Sequence, residues 1–159
     1  TPVEIGELLI GKLIPYYILA MGTLTLISVL AESIYHIPMR CSWFALLLVA
    51  GVFLLPALGL GLLISTLSRN QLVASQMAML VGFLPAFMLS GFIFEIASMP
   101  LAIQFFTYLL PARYFVSSLQ TLFLVGDDWS VITKNLIPMI LIGIVLFTLT
   151  ARLTKKRLD

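Results

Sequence analysis

Charge is what this chain has least of. Only 10% of its 159 residues are Asp, Glu, Lys or Arg, against 61% hydrophobic ones, and the mean hydropathy is +1.13. That leaves too little polar surface to cover a soluble globule, so a membrane protein is implied. Cysteine is nearly missing too: Cys41 alone cannot form an internal disulfide and says nothing of the compartment. The start, T-P-V-E-I-G-E, has two carboxylates and no basic stretch ahead of an apolar one, so no secretory signal is visible. It also lacks an initiator Met, as expected of a cleaved product or, better, of a piece of a longer protein.

What the chain does have is long apolar runs. A bilayer core about 30 Å thick needs about 20 residues of helix to cross it. Spans are expected at residues 13–36, 43–67, 71–94 and 131–151, between a cytoplasmic interfacial lead-in at 1–12 and a cytoplasmic tail at 152–159. In the lead-in, Pro2, Glu4 and Glu7 suit a first helical turn, with Ile5, Leu8 and Leu9 on one side. Pro15 lies near a helix start, where it is tolerated, whereas Pro56 is expected to kink the second span. Trp43 and Trp129 are placed as interfacial anchors.

Small residues recur at every fourth position on two spans: Ala57, Gly61 and Ser65, then Ala74, Ala78, Gly82, Ala86 and Ser90. Such seams let membrane helices approach closely where no hydrophobic effect drives them together. Packing within the subunit is the expected use of the longer one, ahead of a dimer seam or a path lining.

Residues 99–126 behave differently. Two apolar runs, Leu101 to Leu110 and Phe115 to Val125, are each too short to span, and Pro111 lies between them. A re-entrant hairpin is expected. The expected fold is therefore all-α, with four transmembrane helices and a re-entrant helical hairpin between the third and fourth. With four crossings, Lys12, Arg69, Arg152, Lys155, Lys156 and Arg157 share one side, and only Arg40, Arg113 and Lys134 lie on the other. The positive-inside rule then makes both ends of the chain cytoplasmic. Glu95 and Arg113 flank the first hairpin arm near the outer interface. An ion pair there would hold the hairpin shut, although two separately solvated charges are the expected state, because exposed pairs contribute little.

Catalytic constellations are scarce. His36 is the single histidine and has only Glu32 one turn away, short of a metal-ligand set. No serine stands with His and an acid at a motif spacing. Gly6 to Leu13, G-E-L-L-I-G-K-L, has the outline of a phosphate loop, but Leu13 stands where Ser or Thr would ligate magnesium and no strand precedes it. No catalytic residue, cofactor or metal is expected in the chain, and no nucleic-acid partner. The centres of the spans carry no charge of the kind that ion-coupled transporters use, so the energy for transport is expected from outside the chain.

Several stretches keep the order and spacing of a known family: T-P-V-E-I-G-E-L-L-I-G-K-L-I-P-Y at Thr1 to Tyr16, G-L-L-I-S-T-L-S at Gly61 to Ser68, and L-S-G-F at Leu89 to Phe92. Met99 and Pro100, P-A-R-Y-F at Pro111 to Phe115, and L-F-L-V-G at Leu122 to Gly126 continue the series. Over essentially its whole length the chain resembles the C-terminal half of bacterial ABC-2-type transporter permeases, most of all the drug and multidrug exporter branch. The resemblance implies the last four of six spans. The first two spans, a large periplasmic insert and most of the coupling helix would lie upstream of Thr1.

It further implies a partner ABC ATPase subunit carrying ATP and magnesium, a second permease copy as homodimer or paralogue, and a periplasmic membrane-fusion protein. The location implied is the bacterial inner membrane, and the role is export of hydrophobic or amphipathic compounds such as drugs. Glu4, Glu7 and Lys12 become the ATPase-coupling segment, and Glu95, Pro111, Arg113 and Tyr114 the outer gate. Family members commonly carry proline where Glu95 stands. The rival readings are an ATPase-independent secondary transporter or channel, an exporter of lipid-linked glycans from the same family, and a structural membrane anchor.

Overall fold

A computed structural model describes residues 5–38, 40–68 and 70–158. Long apolar runs become long helices, because in a bilayer each backbone donor and acceptor has to be met within the segment. The chain forms α1 (Ile5–Tyr35), α2 (Trp43–Leu67), α3 (Gln71–Met77), α4 (Leu84–Leu89), α5 (Leu101–Thr107), α6 (Pro111–Leu124) and α7 (Trp129–Leu158). A π-helical stretch, Ala78–Phe83, joins α3 to α4, and a 3₁₀ turn, Ile96–Ser98, precedes α5. No strand occurs among the described residues. Among the described residues four stretches are long and apolar enough to cross a membrane: Ile10–Tyr35, Trp43–Leu67, Gln71–Leu89 and Trp129–Thr154.

The helix ends follow local chemistry. The Ser42 hydroxyl accepts from the Ala45 amide at 3.2 Å and starts α2. Asn70 does the same for α3, accepting from the Val73 amide at 2.8 Å. In the third span the π-helical stretch comes just before Pro85, whose ring displaces the carbonyl four residues back and which has no amide hydrogen to give. The backbone widens there, and the Leu84 amide bonds to the Met79 carbonyl. This span stops at Leu89, short of the expected boundary at 94, because Gly91 turns the chain with φ +89°.

The two ends also differ from expectation. The lead-in is continuous with the first span as one helix from Ile5, and α7 runs on through the tail to Leu158. Thr1 to Glu4, Arg69 and Asp159 lie outside the described residues.

α2 is the axis of the bundle. It packs most extensively on α7, then on α6 and α1. Two glycines set the α2–α7 distance. A methyl group added at Gly59 would lie 3.1 Å from Leu146 Cβ, and one at Gly143 would lie 3.3 Å from both Leu55 Cβ and the Pro56 nitrogen. Here the sequence-based seam on α2 is corrected: Gly61 faces open space and Ser65 is exposed, while Gly59, off the four-residue stripe, makes the close approach. α2 runs unbroken through the buried Pro56.

Ala45, Leu46 and Val49 of α2, Leu122 of α6 and Ile132 of α7 form the buried core. By contrast, none of the residues in α3, the π-helical stretch or α4 is buried.

Candidate functional site

The site is built around α6, which lies along α2. At one end Leu122 joins Leu46 in the core, in the middle the rings of Phe115 and Phe53 stack at 4.1 Å, and at the other end Pro111 and Ala112 share a small cavity with Ala57 and Leu60. Since α2 runs from Trp43 to Leu67, α6 covers the half nearer Trp43 and starts just past the middle. At 14 residues it is about 21 Å long, well short of a ~30 Å hydrocarbon core.

The turn leading into α6 is closed by side chains. Thr107, fully buried, gives its hydroxyl hydrogen to the Gln104 carbonyl at 2.7 Å and accepts from the Arg113 guanidinium. The same guanidinium lies over the Tyr108 ring, 3.9 Å from its centroid. The Tyr114 hydroxyl donates to the Tyr108 carbonyl at 3.0 Å. Gln104 ties α5 to the preceding turn by donating to the Met99 carbonyl at 2.8 Å.

Of the four expected gate residues, the structure thus brings Pro111, Arg113 and Tyr114 together and leaves Glu95 apart. Glu95 is exposed, and its carbonyl accepts from the Ser98 amide at 3.0 Å. No ion pair joins Glu95 to Arg113. Arg113 is half-buried on α6 between Ala112, which shares the cavity with Ala57, and Phe115, which stacks on Phe53. The two arms of the expected hairpin are packed unequally, with α6 on α2, α7 and α4 while α5 rests chiefly on the 3₁₀ turn.

At the Trp43 end two turns are tied together. Arg40 donates to the Leu124 carbonyl at 3.2 Å, and the Ser42 amide donates to the Asp127 carboxylate at 2.9 Å. Gly126, at φ +109°, lets the Arg40 carbonyl pass within 3.1 Å of where a side chain would begin. Asp128 caps α7, and the hydrogen bond from the Ser130 hydroxyl holds its carboxyl below the usual carboxylate range. Burial pushes the Cys41 thiol up. Trp43 and Trp129 begin α2 and α7 at this end, where Trp129 lies 6.5 Å from the Phe44 ring.

The expected seam on the third span is split. Gly82 approaches Leu60, Ala86 lines the cavity at the α6 start, and Ser90 is buried, whereas Ala78 is exposed and Ala74 half-buried. In the coupling segment Glu7 and Lys12 are both exposed, and Glu4 lies outside the described residues.

Sequence reasoning missed an apolar pocket of about 510 Å³ between α1, α2 and α6, lined among others by Leu24, Ile27, Leu46, Phe115 and Phe123. No local pattern marks it, since it exists only where three distant segments meet. Its Thr23 and Ser28 hydroxyls are spent on the carbonyls of Leu19 and Leu24. Among the described residues no group of acids, histidines and cysteines could hold a metal ion. The chain offers apolar cavities and a cation held in a turn by Thr107 and Tyr108.

The model of the ABC-2 family transporter proteins matches residues 1–152. The chain belongs to this family. An ABC-2 chain of this kind is a transmembrane component rather than a catalytic one. Over all 159 residues it is 47% identical to the "Probable multidrug ABC transporter permease YbhS" of Escherichia coli K12, covering 42% of that protein. It is 28% identical over 142 residues, 89% of its length, to the "Probable multidrug ABC transporter permease YbhR" of the same organism, covering 38% of it. The chain thus spans about two-fifths of the curated relatives it matches. No solved structure matches it.

Proposed function

We propose that the chain is the membrane-spanning C-terminal part of an ATP-driven exporter permease that moves hydrophobic or amphipathic compounds out of the bacterial cytoplasm or the inner leaflet. α5 and α6 form a re-entrant pair in this reading, entering and leaving by the outer face. The observation that carries it is the course of α6, too short to cross and seated from the Trp43 end of α2 to just past its middle. An exporter needs a closure on its outer side, and a segment that dips in and returns can supply one without adding a crossing.

The permease hydrolyses nothing itself. ATP and magnesium act on a separate ATPase subunit, and its closure is passed on near Glu4, Glu7 and Lys12 at the start of α1. That start, the α2–α3 turn and the end of α7 lie on the cytoplasmic side of the inner membrane, with Lys12, Arg69, Arg152 and the basic tail gathered there. A second permease copy, identical or paralogous, completes the pathway. The relatives' printed names, multidrug ABC transporter permeases, support a drug-transporting role.

The test is purification of the full-length protein in mild detergent with a search for a bound ATPase. The expected result is a stoichiometric ATPase whose turnover changes with the permease, and whose inactive variant abolishes export. Export that persists with the inactive ATPase would replace this reading with an ion-driven transporter or channel.

A further inference from the structure

We infer that Arg113 and the apolar pocket one turn away form a binding site for anionic amphiphiles, compounds with a carboxylate, sulfonate or phosphate head on a hydrophobic body. As a substrate class, this rests on the exporter reading above.

The head is set by charge. Arg113 stands on α6 between Ala112, which shares a cavity with Ala57, and Phe115, which stacks on Phe53, so on the re-entrant reading it lies at mid-depth, where an ionised side chain is expensive to keep and marks function. Its guanidinium has five N–H donors. Thr107 takes one hydrogen bond and the Tyr108 ring takes one face, and among the described residues no carboxylate pairs with it. The planar fork that remains matches the oxygens of a carboxylate or phosphate.

The body is set by shape. Val116, three residues on from Arg113 along α6, shares a face with it. With Phe83, Ala86, Phe87, Ser90 and Phe92 it lines an apolar pocket of about 290 Å³. The Phe83 and Phe87 rings stack at 5.4 Å, giving a wall for an alkyl chain or a ring. A neutral compound gains only the pocket, and a cationic one is repelled by the arginine.

The experiment is equilibrium binding of labelled myristate and of its methyl ester to the detergent-purified full-length protein. Arg113→Gln is expected to weaken myristate about tenfold or more and to leave the ester unchanged, and Arg113→Lys to keep most of the myristate affinity. Lys134→Gln, which removes an exposed cation elsewhere in the chain, should leave both probes unchanged. Phe87→Ala should weaken both alike.

Myristate binding indifferent to Arg113→Gln would overturn the site. So would an equal loss in Lys134→Gln, because net charge and not this arginine would then hold the head. Binding needs no ATPase, so charge-dependent binding without a co-purifying ATPase sinks the exporter reading and not the site, and the reverse sinks the site alone.

Discussion

The α2–α7 pair and the third span are both apolar, yet they are built to opposite ends. α2 and α7 close on each other through Gly59 and Gly143, with side chains of the partner helix seated against bare backbone. The third span, α3 to α4, carries the more regular small-residue stripe in sequence and buries none of its most apolar stretch. A stripe therefore measures how closely a helix can be approached, and a tight contact forms only where the partner also presents something to seat. The third span is left exposed within this chain, while α2 and α7 are committed to each other.

That contrast can be broken most directly at the glycines. Gly59→Leu and Gly143→Leu each push a side chain into the facing helix and are expected to destabilise by about 2 kcal/mol or more. Gly61→Leu, two positions from Gly59 but facing open space, should change stability by no more than ~0.5 kcal/mol. Thermal unfolding in mild detergent separates them, and equal losses at 59 and 61 would show that α2 and α7 do not meet as described.

A smaller effect is expected from Asp127→Ala. It removes the acceptor of the Ser42 amide and unties the two turns at the Trp43 end, for a loss of about 1 kcal/mol. Ala78→Leu, on the exposed part of the third span, should leave the unfolding of the isolated subunit within ~0.5 kcal/mol of the wild type. If it splits a purified dimer instead, the stripe is an intersubunit seam.

The smallest effect concerns pH. The folded-state pKa of Asp128 is depressed, so its contribution is present above the unfolded-state value and is lost as pH falls through the folded one, below the usual carboxylate range. Asp128→Asn should flatten that acid limb of the stability profile and leave the neutral region nearly unchanged. Melting curves taken from neutral to acid pH check it.

Much of this was legible in the sequence because hydropathy is a local property. Four spans, the break at Pro111 and the tryptophans at two helix starts all follow from neighbouring residues. The α2–α7 contact was not legible, since Gly59 looks no different from Gly61 until the partner helix is known. Pro85 was visible, but the widening before it depends on how the backbone redistributes its bonds. Arg113 was found but its partners were not: a proline in the chain says that a helix breaks, not which way the next one points. The spacing between Glu95 and Arg113 offered an ion pair, and the nearer Thr107 and Tyr108 took the arginine instead.

The proposed gate and the cytoplasmic placement of both ends depend on residues 91–128 entering and leaving the bilayer by one face. In the full-length protein with Cys41 and every cysteine outside this chain replaced by Ser, single substitutions Ser98→Cys, Ser130→Cys and Gln71→Cys can be probed in cells with a membrane-impermeant maleimide, after the outer membrane is opened. Labelling at 98 and 130 from outside, with 71 reached only after the inner membrane is permeabilised, is the expected result. Labelling of 98 and 130 from opposite faces would mean that α5 and α6 complete a crossing, and the re-entrant gate would be wrong.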